Sequence, residues 1–480
     1  MVALAASLAI GSATAQNTYG IPTEIQEGNI LHCFDWRLTD ITNELPNIAE
    51  AGFGSIQISP MQSLAKTGYN WSDLYRPYDF AFFPSCGIGT SQQLKTLCQE
   101  AEKYGIKIIV DVVFNHVDRG SNHIGWWNTN DRLRNTTSMI NYSNRNSITH
   151  DLLGDYPEVN TENPEVIERA KNYLEELKKC GVKGIRFDAA KHIGLPSEGS
   201  DFWKEVTAVD GLFYYGEILD GPGGGNSNNL LKEYVQYMGV ADNVYSDNVR
   251  RNLGVPTTSA NWGGNLFDEN LCVYWGESHD TYANAGGASK NASQGNIDRA
   301  YAAVASRNKP TALYFSRPNY KEFGDIKVGQ KGSTHFMDPE VAEVNKFRNV
   351  MIGKADCYTF GNLASSITRE NGGAVIIKKG SAGSVTIANG NGYCPAGTYY
   401  DRVSGNEFTV TETTITGIVG DTGIAVIYND DSGVEYIPEA VDNAETEWYT
   451  LQGLKIDRPT EPGIYIARGG NGKATKYVIR

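Results

Sequence analysis

Apolar positions along this chain recur with helical spacing, stop at a glycine, and then close into a short continuous run. The cycle appears three times: residues 39–51, Gly52 and SIQISP (55–60); 91–104, Gly105 and IKIIVDVVF (106–114); 165–180, Gly181 and VKGIRFD (182–188). A helix closing on a C-terminal glycine, followed by such a run, predicts a helix and then a parallel strand buried on both faces. Asn163 and Pro164 predict the cap and first turn of the third helix. Further apolar runs predict strands at NILHCFDW (29–36), LFYYGE (212–217), VADNVY (240–245), LCVYWGE (271–277) and TALYFS (311–316). Eight strands alternating with helices over roughly 300 residues predict an α/β fold, a (β/α)8 TIM barrel. A doubly wound open sheet is the alternative, disfavoured because no GxGxxG follows the first strand.

Two stretches depart from this rhythm. Between Phe114 and Val182 lie about 65 residues of which only the last turns read as helix; the polar, Asn/Ser/Thr-rich remainder predicts a small inserted domain at about 117–160, after the third strand. Beyond 345 the runs GAVIIKKG (373–380), SVTIANG (384–390), FTVTETTITGIV (408–419) and IAVIYN (424–429) alternate with Gly/Asn turns and predict an all-β sandwich over 346–430. An acidic linker (431–447) and a small β module (448–480) follow. The barrel with its insertion is thus expected over 16–345.

Composition narrows the function. The 480 residues are 40% hydrophobic and carry a net charge of −14, which disfavours a nucleic-acid or anionic-membrane partner and favours a neutral or cationic ligand. Tyr (27) and Trp (8) supply rings for the core or for stacking on sugars. The seven cysteines are scattered without a CxxC pair, which argues against a zinc site and against a dense disulfide framework. Residues 2–15 form a short apolar run ending in Ala13-Thr14-Ala15 and read as an export signal, although without the usual positive start. No other segment has the length of apolar sequence expected of a membrane span.

In a parallel barrel, chemistry sits at the carboxyl ends of the strands. Strand three ends in Asp111, Asn115 and His116; strand four in Arg186, Asp188, Lys191 and His192; strand five in Glu217; strand seven leads to Glu277, His279 and Asp280. One aspartate at a strand end is ordinarily a helix cap. Three acids on separate strands, accompanied by Arg186, His116 and His279, point to a shared pocket. Convergent carboxylates suit glycosidic bond cleavage, one attacking the anomeric carbon and one protonating the leaving oxygen. Arg186, two residues before Asp188, shares its face of the strand and is expected to hold it ionised.

These residues lie in motifs that resemble the signature regions of the α-amylase family, glycoside hydrolase family 13: DVVFNH (111–116), GIRFDAAKH (184–192), YGEIL (215–219) and ESHDTY (277–282), with DYPEVNTENP (155–164) as a fifth. The flanking stretches look closest to secreted bacterial α-amylases of the Bacillus subtilis type. The resemblance covers about 25–430. It implies a retaining, endo-acting enzyme on internal α-1,4 bonds of starch and maltodextrin α-glucans, secreted or at the cell surface, monomeric, with Ca2+. A maltodextrin-trimming or transglycosylating relative and a non-catalytic starch-binding protein are the rival readings.

By the same resemblance Asp188 falls on the nucleophile, Glu217 on the general acid/base and Asp280 on the third carboxylate, which helps keep Glu217 protonated. His116, Arg186 and His279 match residues around the glucose unit being cleaved, Lys191 and His192 the acceptor side, and Trp71 and Tyr75 the aromatic platform. Ser72 and Arg76 depart from the family pattern there, which implies an altered glycone side. For calcium, the resemblance implies Asn115, the carbonyls of His192 and Thr137, and a B-domain residue at Asn146 with Asp151 as alternative. The last module resembles C-terminal sorting segments of exported bacterial proteins; an extra sugar-binding module is its other reading.

Overall fold

A computed structural model describes residues 19–429, except 66–69, 83–85, 121–124, 226, 242, 256–267 and 381, and residues 447–479, except 451–453, 460–462 and 469–473. The expected export signal and the 431–446 part of the linker lie outside the described residues. Eight parallel strands close into a barrel in sequential order: β1 (Asn29–Cys33), β2 (Ser55–Ile58), β3 (Lys107–Val113), β4 (Gly184–Asp188), β5 (Phe213–Glu217), β6 (Gly239–Ala241), β7 (Cys272–Trp275) and β8 (Thr311–Phe315).

The glycine punctuation works as anticipated. Gly52, Gly105 and Gly181 have φ of 78°, 77° and 101°, where a β-carbon is strained, and let each helix end abruptly. The amide after each glycine then reaches back to the helix, as Phe53 N does to Ile48 O (3.3 Å), Ile106 N to Ala101 O (3.0 Å) and Val182 N to Leu177 O (3.3 Å). The Asn163 side chain caps its helix by accepting from Glu165 N at 2.9 Å. The sixth strand is shorter than the apolar run 240–245 suggested. It ends at Ala241, and Asn243–Arg251 is a helix that buries Tyr245 and Val249, a helical spacing of four.

Residues 117–163 form the insertion after β3. Among the described residues it holds one short α-helix (Arg145–His150) and is pinned by isolated bridges, among them His116 with Glu158 and Leu133 with Val159.

The second domain is an antiparallel sandwich of β9 (Asp356–Thr359), β10 (Ala364–Arg369), β11 (Gly373–Lys378), β12 (Gly383–Ala388), β13 (Gly397–Tyr400), β14 (Glu407–Val410), β15 (Thr414–Val419) and β16 (Ile424–Tyr428), in sheets ordered β16-β11-β10-β9 and β12-β15-β14-β13. The run 408–419 is two strands, because Thr411 N turns back to Thr414 O at 2.8 Å. Period two explains why β11 and β16 read as continuous apolar runs. Val375, Ile377, Ile424, Val426 and Tyr428 join the barrel core, while Ala374, Ile376, Ala425 and Ile427 join the sandwich core.

A separate four-stranded sheet, β17 (Glu447–Thr450), β18 (Lys455–Ile456), β19 (Gly463–Arg468) and β20 (Ala474–Ile479), ends the described chain. Among the described residues no helix is long and apolar enough to cross a membrane.

Candidate active site at the carboxyl ends of the barrel strands

Strand register builds the site. Asp111 on β3, Arg186 on β4 and Tyr215 on β5 are register neighbours, so their side chains point to the same face and form one polar layer inside the barrel. Two residues further along, Asp188 and Glu217 emerge one layer higher, at the mouth. Arg186 joins the layers. Its Nη1 donates to both oxygens of Asp111 (2.9 Å each) and to Asp188 Oδ1 (2.7 Å), and its Nη2 lies 3.1 Å from Glu217 Oε2. Exposure rises outward, from 0% for the Asp111 side chain to 13% for Asp188, 18% for Glu217 and 29% for Asp280. The last three line one cleft of about 700 Å³, so three acids from three strands do meet.

The turn after β4 completes the pairing. Ala189 is left-handed (φ 49°), an uncommon state for a residue with a β-carbon, and its amide donates to Glu217 Oε2 at 2.9 Å. Gly216 is needed just below, since a β-carbon there would lie 2.8 Å from that of Ala190. Asp280 opens a short helix (His279–Ala283) capped by Ser278. It lies 3.4 Å from His279 Nε2 and accepts from Asn284 Nδ2 at 3.2 Å.

The aromatic wall is locked from behind. The Tyr75 hydroxyl donates to Asp111 Oδ2 at 3.0 Å, and its ring stacks on His279 (centroids 5.2 Å, 12° between planes). Trp71 packs edge-on against Tyr75 at 5.9 Å. His116 Nε2 is 3.0 Å from Tyr75 O, which leaves a buried Nδ1 without a protein partner in the cleft wall. Burial lowers His116 and His192 to about 4, so both imidazoles are neutral at pH 7. His192 Nδ1 is 3.1 Å from Ile148 O, and Lys191 Nζ donates to Leu219 O at 2.8 Å; both residues also line the cleft.

Electrostatics do not follow the expected polarity. Burial, then repulsion from Glu217, raises Asp188 well above the carboxylate range despite Arg186. Burial also pushes Glu217 up, but Arg186, the Ala189 amide, His279 and Lys191 outweigh it and leave Glu217 below its usual value. Two desolvated acids share one guanidinium; neighbouring carboxylates crowd Asp188, while further donors surround Glu217.

Sequence reasoning missed part of the cleft. Tyr142, Leu153 and Tyr156 from the insertion also line it, with Asp220, Pro222 and Gly223 after β5. Tyr156 stacks on His116 (5.2 Å, 24°) and lies 5.2 Å beneath the Arg76 guanidinium. Isolated rings in a polar insertion were their only signal.

The structure brings a further acid to the region expected to hold calcium. Asn115 is buried, with Oδ1 unpartnered and Nδ2 donating to Glu158 Oε2 at 3.2 Å. Glu158, 1% exposed, is the acid brought to Asn115, and burial raises its pKa well above normal against the pull of Arg134 and Asn115. Thr137 and Asn146, by contrast, are exposed on the insertion. Asp151 is half-buried, taken up by hydroxyls of Thr136 (3.0 Å) and Ser147 (2.5 Å), and still adds to the negative field on Glu158. An orphaned amide oxygen beside a buried carboxylate whose burial outweighs the pull of Arg134 and Asn115 fits a hard cation.

Comparison with known proteins places this geometry. Residues 35–147 match the family model for the α-amylase catalytic domain. An α-amylase of Clostridium acetobutylicum is 32% identical over 86% of this chain and 55% of its own length, and one of Butyrivibrio fibrisolvens is 30% identical over 86% and 48%. The chain thus spans about half the length of these curated relatives. A variant α-amylase I of Eisenia fetida in complex with maltohexaose superposes with TM-score 0.70 at 18% identity, over 85% of this chain and 99% of that one. An acarbose-complexed α-amylase of Geobacillus thermoleovorans gives 0.64 at 18%, over 85% and 99%. These structures share the fold, and the chain belongs to the α-amylase family, glycoside hydrolase family 13.

Proposed function

We propose that this protein hydrolyses internal α-1,4-glucosidic bonds of starch and maltodextrins by a retaining double displacement. The observation that carries the reading is a single one: Asp188 and Glu217, from adjacent strands, share Arg186 at the mouth of a cleft that Asp280 also enters.

In the first step Asp188 bonds to the anomeric carbon as the bond to the leaving oxygen breaks, and Glu217 gives that oxygen its proton. In the second, Glu217 takes a proton from water, the water oxygen bonds to the same carbon, and Asp188 leaves as carboxylate. Arg186 stabilises the departing charge on Asp188. Asp280 accepts from sugar hydroxyls, with Tyr75 and His116 in the wall beside it. The chemistry requires the proton on Glu217, and substrate must favour it there. A sugar seated in the cleft does this by displacing water from Glu217 and bringing the glycosidic oxygen to it as acceptor.

Asn115 and Glu158 would hold calcium between barrel and insertion, with Asp151 close to it; bound there, the ion would supply the positive charge that Glu158 lacks and fix the insertion beside the cleft. We also read residues 1–15 as an export signal, which suits an enzyme acting on polymers too large to enter a cell.

Release of reducing ends from soluble starch tests the proposal. Wild type is expected to give mixed oligomers early, and Glu217→Gln to lose at least about a thousandfold. An active Glu217→Gln would refute the assignment of the acid. A single short product from the outset would move the chain to the maltodextrin-trimming reading.

A further inference from the structure

Outside the cleft, three elements bring Asp298, His335 and Glu340 together. Asp298 lies in the helix Gln294–Ala305, His335 in the turn His335–Met337, and Glu340 in the first turn of the helix Pro339–Val350. One oxygen or nitrogen from each lies within 4.8 Å of the others. We propose that this cluster binds a divalent transition cation of the Zn2+ class, separately from the calcium region and the catalytic acids.

The donor types and their orientation support this. The Asp298 side chain is 1% exposed, and its Oδ1 is held by Tyr314 OH (3.2 Å) and Gln294 Nε2 (3.0 Å), which turns Oδ2 toward His335. The imidazole is oriented from behind, because Asp338 Oδ2 takes its Nδ1 at 2.5 Å. A carboxylate on the far nitrogen is the usual outer-shell partner of a metal-bound histidine, and it leaves Nε2 as the donor atom. That nitrogen faces two carboxylates, Asp298 Oδ2 at 2.9 Å and Glu340 Oε1 at 3.7 Å. Tetrahedral ligands at ~2.0–2.1 Å from zinc stand ~3.3 Å apart, between those two separations. One imidazole and two carboxylates match a borderline cation in charge and softness, and the partial exposure of His335 (24%) leaves a position for water.

The site would act as a staple. Arg299, on the same helix as Asp298, donates to Thr422 O of the sandwich at 2.8 Å, and Phe347, on the helix of Glu340, meets Tyr428 of β16 at 5.7 Å. Both helices therefore join barrel to sandwich, and a metal would pin their ends.

The test uses untagged full-length protein, stripped with a chelator, dialysed, and resaturated with Ca2+. Zn2+ uptake is then followed by calorimetry, metal analysis and thermal unfolding. Wild type is expected to bind one equivalent and melt higher with Zn2+, while His335→Ala and Glu340→Gln lose that equivalent and the shift. Asp338→Asn is expected to weaken binding about 10–100-fold without abolishing it. Should His335→Ala fail to fold, Glu340→Gln decides. No zinc equivalent in wild type, or equal uptake by wild type and the folded variants, overturns the proposal and leaves an imidazolium held by carboxylates.

Discussion

Replacing Arg186 by lysine keeps the charge and removes the fork. The guanidinium makes four contacts through two nitrogens, reaching Asp111, Asp188 and Glu217. An ammonium has one nitrogen, so it can serve Asp111 or the upper pair but not all three. Losing a charge-assisted hydrogen bond to Asp188 costs about 1.5–3 kcal/mol, and breaking a buried pair outright about 3–5. If about 3 kcal/mol of that is felt as Asp188 leaves the glycosyl intermediate, the rate falls about 100-fold. Thermal unfolding should show a loss of similar size. The acid limb of the pH–rate profile should move up, because an ammonium drawn to Asp111 no longer donates to Asp188, which burial and Glu217 already raise. Steady-state kinetics on a nitrophenyl maltooligosaccharide, run across pH beside melting curves, measure all three. Activity within threefold of wild type with an unmoved acid limb would refute the role given to Arg186.

Other residues yield independent checks. Arg145, on the insertion's helix, donates to Lys191 O (2.5 Å), Pro222 O (3.1 Å), Tyr234 OH (2.8 Å) and both oxygens of Glu198 (2.7 and 2.8 Å). Arg145→Ala should raise KM for long maltodextrins more than it lowers kcat, since Lys191 and Pro222 line the cleft; an unchanged KM counts against this. Asp35, buried with Oδ2 unpartnered, is raised to about 8. Between about pH 4 and 8 the folded protein holds a proton that the unfolded chain has lost, so stability falls as pH rises, by up to about 5–6 kcal/mol. Asp35→Asn removes that slope, and its melting-point advantage should grow from pH 4 to 8; a constant difference would contradict the buried-acid account. Calcium removal by a chelator should lower the melting point of wild type, whereas Glu158→Gln should start lower and respond weakly; an equal response would move the site elsewhere.

Much of this was legible in the sequence because it depends on local periodicity. Glycine closures and apolar runs located the strands. Alternation along β4 put Arg186 and Asp188 on one face, as the structure has them. The shortened sixth strand shows the limit: VADNVY carries apolar residues that suit either period, and only the burial of Tyr245 and Val249 against the barrel selects helix. Glu158 was missed for a different reason. It reaches Asn115 through a bridge across an insertion without periodicity, so neither spacing nor strand order assigns it. Asp298, His335 and Glu340 were invisible for the same reason, being distant in sequence and held by three separate elements.

Where the proton sits could not be read from residue types, because it is a sum over the pocket. Asp188 and Glu217 have the same partner, and their difference arises from the carboxylates that crowd Asp188 (Glu217, Asp111 and Asp280) and from the Ala189 amide, His279 and Lys191 that act on Glu217. That arithmetic makes a further prediction. A glucosyl or maltosyl fluoride needs no acid for its leaving group, so Glu217→Gln should retain glycosylation of Asp188 from such a donor. With the Glu217 charge gone, the second-largest influence raising Asp188 disappears while Arg186 stays. Its pKa must fall, and the acid limb for fluoride turnover or for trapping of the glycosyl intermediate should lie at lower pH than in wild type. A limb that stays in place would mean that the two acids do not share one electrostatic site. A limb that moves upward would mean that Glu217 had been favouring ionisation of Asp188, the reverse of what two neighbouring carboxylates under one guanidinium can do.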